Sequence, residues 1–123
     1  MSRRHVLLID DDVWLGEQFA RTLSRHDFEV TQARNGVSGM DAIDVQRPDV
    51  IVLDIFMPGP NGLVLLHELQ SHGDLASIPV VLCSNSSADI ALDILQPYGV
   101  QVVLDKTTMA PDDLVAAVRK VLL

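Results

Sequence analysis

Four short apolar runs punctuate the chain: Val6-Leu7-Leu8-Ile9, Val50-Ile51-Val52-Leu53, Ile78 to Cys83 and Val100 to Leu104. Apolar residues follow one another there without polar alternation, which is the pattern of strands covered on both faces in a parallel sheet. A fifth segment, Phe28 to Ala33, alternates Phe28 and Val30 with Glu29 and Thr31, and so predicts an edge strand with one wetter face. Pro79 stands near the start of its run, where a missing N–H is tolerated.

Helical spacing fills the gaps. Leu15, Phe19 and Leu23 lie four apart with Ala20 beside them, so one face can pack on a sheet. A second helix is expected over Val37 to Gln46, and a third over Gly62 to His72, where Leu63, Leu66 and Leu69 recur at helical steps and Gly73 is a natural stop. Ser86 or Ser87 can cap a further helix carrying Ile90, Ile94 and Leu95 before Pro97 and Gly99 end it. The last begins near Pro111, with Asp112 and Asp113 in its first turn and Arg119 and Lys120 near its end, an order of charges that complements the helix dipole. Strand and helix thus alternate five times, which predicts one parallel sheet with helices on both faces and right-handed crossovers. In such sheets ligands bind beyond the carboxyl ends of the strands.

Composition narrows the picture. The 123 residues are 48% hydrophobic and 21% charged, enough for one core and one domain spanning 1–123, and unlike a disordered chain. No apolar run nears the roughly 20 residues of a membrane span. Arg3, Arg4 and His5 precede only four apolar residues before Asp10, too few for a secretory signal, so a soluble cytoplasmic protein is expected. Cys83 is the only cysteine, which excludes an internal disulfide and two-cysteine metal or redox motifs. The net charge is −8, with no Lys or Arg between Arg47 and Lys106, which argues against a nucleic-acid surface.

The chemistry collects at the strand ends. The first strand runs into Asp10-Asp11-Asp12, the third into Asp54, the fourth into Ser84 and the fifth into Asp105-Lys106. Any one of these is ordinary, since strand ends often carry Asp and Ser as helix caps, and Asp12 reads as such a cap or a first-turn carboxylate. Together they are not ordinary, because carboxylates held side by side repel unless a cation or proton intervenes. Magnesium is the hard cation that one or two carboxylates, waters and a phosphate oxygen usually share. Lys106 can pair with Asp54 or with a phosphoryl oxygen, and Ser84 can donate a hydroxyl hydrogen bond to the same group. Carboxylate nucleophile, metal, cation and hydroxyl donor are the parts that phosphoryl transfer to an aspartate needs.

Val6 to Asp12, Asp54-Ile55-Phe56-Met57-Pro58 with Gly62-Leu63, Ser84, and Asp105-Lys106 resemble, in order and spacing, the receiver domain of two-component response regulators. The resemblance covers essentially the whole chain. It implies a flavodoxin-like (βα)5 fold, a three-layer α/β/α arrangement whose five-stranded sheet runs in the order 2-1-3-4-5. It implies further that Asp54 is the phosphoacceptor, that Asp10 and Asp11 hold Mg2+ with Asp54 and the backbone carbonyl of Phe56, and that Ser84 and Lys106 contact the phosphoryl group. The donor would be a sensor histidine kinase or a histidine phosphotransfer protein. The recipient of the signal would be an output domain, a downstream protein or a second copy in a homodimer. The role would be that of a signalling phosphoacceptor with self-phosphorylation and self-dephosphorylation as its own reactions, not of an enzyme.

Two positions depart from the pattern. Thr107 follows the lysine where receivers commonly have a cis proline, and since a cis bond to a non-proline residue costs about 2.5–4 kcal/mol, a trans bond is expected. Val103 stands where the family's switch aromatic usually lies, and Tyr98, nearby in sequence, reads as a helix-end packing residue. These two departures keep open a second reading, a degenerate receiver that binds partners without phosphorylation. A phosphohydrolase with Asp54 as nucleophile would want a second Asp where Phe56 stands. A flavin or nucleotide binder would want a phosphate-cradling loop in place of three aspartates. Phe56 cannot hold an attacking water with its side chain, so slow self-dephosphorylation is expected. His5, His26, His67 and His72 lack ligand spacing and read as surface or packing residues, and Cys83 as a small hydrophobe.

Overall fold

The structure is a computed structural model that describes residues 3–54, 62–84 and 95–123, with Gly62, Leu63 and Ser84 described by their backbone alone. In chain order the described elements are β1 (Arg4–Ile9), α1 (Val13–Arg25), β2 (Phe28–Ala33), α2 (Gly36–Val45), β3 (Val50–Asp54), α3 (Gly62–Ser71), β4 (Val80–Ser84), a 3-10 turn (Gln96–Tyr98), β5 (Val100–Asp105) and α4 (Pro111–Val121). All strand pairs are parallel and the sheet order is β2-β1-β3-β4-β5, as expected. The helix expected from Ser86 or Ser87, with Ile90 and Ile94, lies outside the described residues. In the described segment that follows, Leu95 is buried, and Gly99 closes the 3-10 turn with φ 84, donating its N–H to the Gln96 carbonyl.

The unbroken apolar runs divide by alternation between two cores. Leu7, Ile9, Ile51, Leu53, Val80 and Leu82 point to the side covered by α2 and α3, where they meet Ile43, Leu65, Leu66 and Leu69. Val6, Leu8, Val50, Val52, Val81 and Cys83 point to the other side, against Phe19, Ala20 and Leu23 of α1 and Leu114, Val115 and Val118 of α4. A strand with period two between two helical layers must be apolar at every position. β5 is the exception to the expected double burial, since only Val100 is fully buried and Val102, Val103 and Leu104 are half-buried. It is the last strand of the sheet, with a neighbour on one edge only.

Short-range chemistry sets the helix starts. Asp12 caps α1, accepting from the Leu15 N–H at 3.0 Å. Asn35 caps α2 by accepting from the Ser38 N–H at 2.9 Å, while Ser38 Oγ accepts from the Asn35 N–H. Pro111 opens α4, and Asp113 reaches back to the Ala110 N–H at 2.8 Å. α2 begins one residue earlier than its spacing suggested, and Gly39 explains its close approach to the sheet: a Cβ there would lie 2.6 Å from Ile9 Cδ1.

Candidate functional site

The register decides which polar groups meet. Ile9 lies beside Leu53, and Asp54 beside Cys83, while Ser84 pairs with Asp105. Asp10, Asp54 and Lys106 therefore emerge at the same edge of the sheet from β1, β3 and β5. Lys106 starts two strands away from Asp54, about 10 Å at ordinary strand spacing, so only a long side chain bridges the gap.

It does bridge it. Lys106 Nζ lies 2.6 Å from Asp10 Oδ2 and 3.1 Å from Asp54 Oδ2, with its side chain 6% exposed. The sequence pointed to Asp54 as the partner, yet Asp10 is the nearer one. Asp10 and Asp54 are the only buried carboxylates among the described residues, 5% and 7% exposed. Asp10 is held further by the Asp12 N–H, which donates to its Oδ1 at 2.9 Å, while its own N–H donates to the Ala33 carbonyl.

Burial raises the pKa of Asp10 above the ordinary value, and the hydrogen bonds from Lys106 and the Asp12 N–H only partly offset this. At Lys106 burial acts to lower the pKa, but the hydrogen bond and charge of Asp10, together with Asp54, outweigh it and raise the pKa. One charged pair thus shows desolvation winning at the acid and pairing winning at the base. Cys83, two residues beyond Val81 in the covered sheet, has its thiol pushed up to about 12 by burial, which leaves it a packing residue.

Asp11 is exposed, and carboxylate oxygens of Asp10, Asp11 and Asp54 lie within 4.8 Å of one another. The three fit a hard divalent cation by donor type, and an ammonium already drawn onto two of them marks where positive charge is demanded. Asp12 is not part of this group, because its side chain caps α1. Ser84 ends β4 opposite Asp105, with its side chain outside the described set, and Phe56 with its carbonyl also lies outside the described residues. Trp14, in the first turn of α1 and two residues after Asp12 in sequence, is 69% exposed.

No cis peptide occurs among the described residues, so Lys106–Thr107 is trans as expected. The turn is held by Asp105, whose Oδ1 accepts from the Thr107 N–H at 2.8 Å and the Thr107 hydroxyl at 2.6 Å. The sequence placed Asp105 at the end of the fifth strand and Thr107 after the lysine without giving either a role in the site. An Asp two residues before a Thr at a strand end is the signal of such a side-chain turn. Tyr98 packs as expected, edge-on to His67 with ring centroids 4.9 Å apart. His5 is buried at the start of β1, where its ring bonds Thr31 Oγ1 at 2.7 Å and its N–H donates to Asp49 Oδ2 at 2.7 Å, a packing role at the opposite end of β1 from Asp10.

The family described as response regulator receiver domain matches residues 6–119. The chain belongs to this family. Among curated relatives the receiver is 34% identical over 124 residues to the transcriptional regulatory protein CseB of Streptomyces avermitilis, covering 98% of this chain and 50% of that protein. It is 37% identical over 84 residues to the response regulator MprA of Mycobacterium sp. (strain KMS), covering 68% of this chain and 36% of that protein. The receiver thus spans half or less of the length of these relatives. Its backbone superposes on NtrX from Brucella abortus with a TM-score of 0.85 at 26% identity, covering 99% of this chain and 27% of that one. The chemotaxis protein CheY4 of Vibrio cholerae shares the fold, with a TM-score of 0.85 at 22% identity over 98% of this chain and 99% of that one.

Proposed function

We propose that Asp54 accepts a phosphoryl group, and that Asp10, Asp11 and Asp54, with the Phe56 carbonyl, hold Mg2+ for that reaction. The observation that carries the reading is the Lys106 ammonium lying 2.6 and 3.1 Å from two buried carboxylates. A buried cation between two acids is what a pocket built for a dianionic group needs before that group arrives. Magnesium, when bound, supplies neutralisation of the carboxylates and of the incoming phosphoryl oxygens.

In the transfer an Asp54 carboxylate oxygen forms the bond to phosphorus, and the bond from phosphorus to a donor histidine nitrogen breaks with its electron pair staying on that nitrogen. Lys106 holds Asp54 in place beforehand and turns to a phosphoryl oxygen afterwards. Asp10 stays as its second anchor. Ser84 donates its hydroxyl to the same group. Domain 1–123 acts as one unit of this kind in the cytoplasm, charged by a sensor histidine kinase or phosphotransfer protein and read by an output domain, a downstream protein or a second copy. The acid pair, the acceptor and the lysine stand together, which gives no support to a role independent of phosphorylation.

Intact-mass spectrometry after incubation with phosphoramidate and Mg2+ tests this. One labile phosphoryl adduct is expected on the parent and none on Asp54→Asn. An adduct that survives in the variant, or its absence from the parent under conditions that preserve acyl phosphates, overturns the reading.

A further inference from the structure

We propose that Asp105 and Thr107 are positioning residues that lock the backbone on both sides of Lys106 and so aim its ammonium at Asp54. This rests on the function proposed above. Asp105 accepts four hydrogen bonds from the three residues that follow Lys106. Its Oδ1 takes the Thr107 N–H at 2.8 Å and the Thr107 hydroxyl at 2.6 Å. Its carbonyl takes the N–H groups of Thr108 at 3.2 Å and Met109 at 2.9 Å. Lys106 is therefore bracketed: the residue before it holds the residue after it by two side-chain bonds, and the turn beyond by two more. Met109 closes the turn by packing on the core beneath α1 and α4.

A lysine side chain has four rotatable bonds and up to about 2 kcal/mol of rotamer freedom to lose on being fixed. Reaching across β4 to Asp54 leaves little slack, so the direction of its Cα–Cβ bond has to be set by the backbone. At this position the receiver pattern commonly relies on a proline ring. Here Thr107 leaves φ free in principle, and the Asp105 carboxylate removes that freedom through the side-chain turn. The hydroxyl bond to a carboxylate is charge-assisted, which makes it the stronger kind.

A strand-end turn of this sort could serve stability alone, and the two roles predict different outcomes. If the bracket aims Lys106, loosening it slows phosphorylation while Mg2+ affinity holds or rises, because the ammonium that competes for Asp10 and Asp54 is released. If it only ends the strand, metal affinity and phosphorylation fall together. The full chain, Thr107→Val, Thr107→Ser and Asp105→Ala are compared, with Mg2+ binding read from Trp14 fluorescence and phosphorylation rate read with phosphoramidate. Asp105→Ala, which loses both side-chain bonds, is expected to be slower by about tenfold. Thr107→Val keeps its N–H bond and the backbone turn, so it tests the idea in a folded protein and is expected to lie between that variant and the parent. Thr107→Ser is expected to match the parent. Parent-like rates in both disruptive variants, or a loss of Mg2+ affinity that tracks the loss of rate, overturn the proposal while leaving the phosphoacceptor reading intact. A parent that takes no phosphoryl group overturns that reading, and this one with it.

Discussion

Replacing Lys106 with methionine keeps most of the side-chain volume and removes the ammonium that pairs with both Asp10 and Asp54. Two buried carboxylates then face each other without the ammonium that neutralised them. Removing one partner of a buried ion pair typically costs about 3–5 kcal/mol, and the lower end applies here because Asp10 can relieve the strain by taking up a proton. For a chain of 123 residues a loss of about 3 kcal/mol lowers the melting temperature by about 10 °C. Circular dichroism melts in EDTA at pH 7 read the loss directly. Adding Mg2+ is expected to recover more stability in the variant than in the parent, since the ion no longer competes with an ammonium. The pH dependence follows from the raised pKa of Asp10. A carboxyl whose folded pKa exceeds its unfolded value favours the fold when protonated, and that advantage is lost as pH rises through the folded pKa. Without Lys106 the folded pKa rises further, so the gap between variant and parent is widest near neutrality and closes as pH falls toward 3.8, the ordinary value. At the alkaline end Lys106 itself is raised above 10.5, so the parent keeps its advantage past that pH. A variant melting within about 2 °C of the parent in EDTA at pH 7, or a gap that does not narrow with acid, refutes the electrostatic account.

Other consequences can be checked separately. Gly39→Ala drives a Cβ to within 2.6 Å of the buried Ile9 Cδ1 and is expected to cost about 1–3 kcal/mol by urea unfolding; a neutral result would mean that α2 can lift from the sheet. The Cys83 thiol, buried and pushed up to about 12, is expected to resist iodoacetamide at pH 8 until the protein is unfolded, and fast native labelling would contradict its place in the core. Phe56→Asn supplies an amide that can hold a water, so faster phosphate release from the charged receiver is expected, and an unchanged lifetime would sink the link between Phe56 and slow hydrolysis.

Much of the architecture was legible because its cause is periodic. Val6 to Ile9 and Val50 to Leu53 must serve two cores at once, and uninterrupted apolar residues at those positions admit few other structures. Asp12 as a cap and Gly99 as a helix stop were readable for the same reason, since each answers a local backbone need. β5 was less legible, because Val100 to Leu104 reads as a core strand while its edge position, set by the order of strands, leaves most of it half-covered. The site divides in the same way. That Asp10, Asp11, Asp54 and Lys106 come together could be read from strand ends, but the nearer pairing of Lys106 with Asp10 depends on register and reach, and the Asp105–Thr107 bracket hides in residues that look like ordinary turn formers.

The charge balance explains why these particular groups are assembled. Three carboxylates against one ammonium leave an excess of two negative charges when all are ionised, which is the charge of a single divalent cation. Burial makes that excess costly at Asp10, and the Lys106 ammonium, nearer to Asp10 than to Asp54, limits the cost. On the function proposed above, Asp54 is thereby left with the weaker of the two Lys106 contacts, which suits a nucleophile, and Lys106 keeps an anchor on Asp10 from which it can reach a new anion. On the same proposal, an arrangement with the distances reversed would hold Asp54 tighter than Asp10 and slow the proposed transfer. Asp10→Asn should therefore impair phosphorylation beyond its effect on Mg2+ affinity, because Lys106 would then fall back on Asp54 alone. Rates measured at saturating Mg2+ that equal those of the parent would show that the anchoring of Lys106 on Asp10 plays no part.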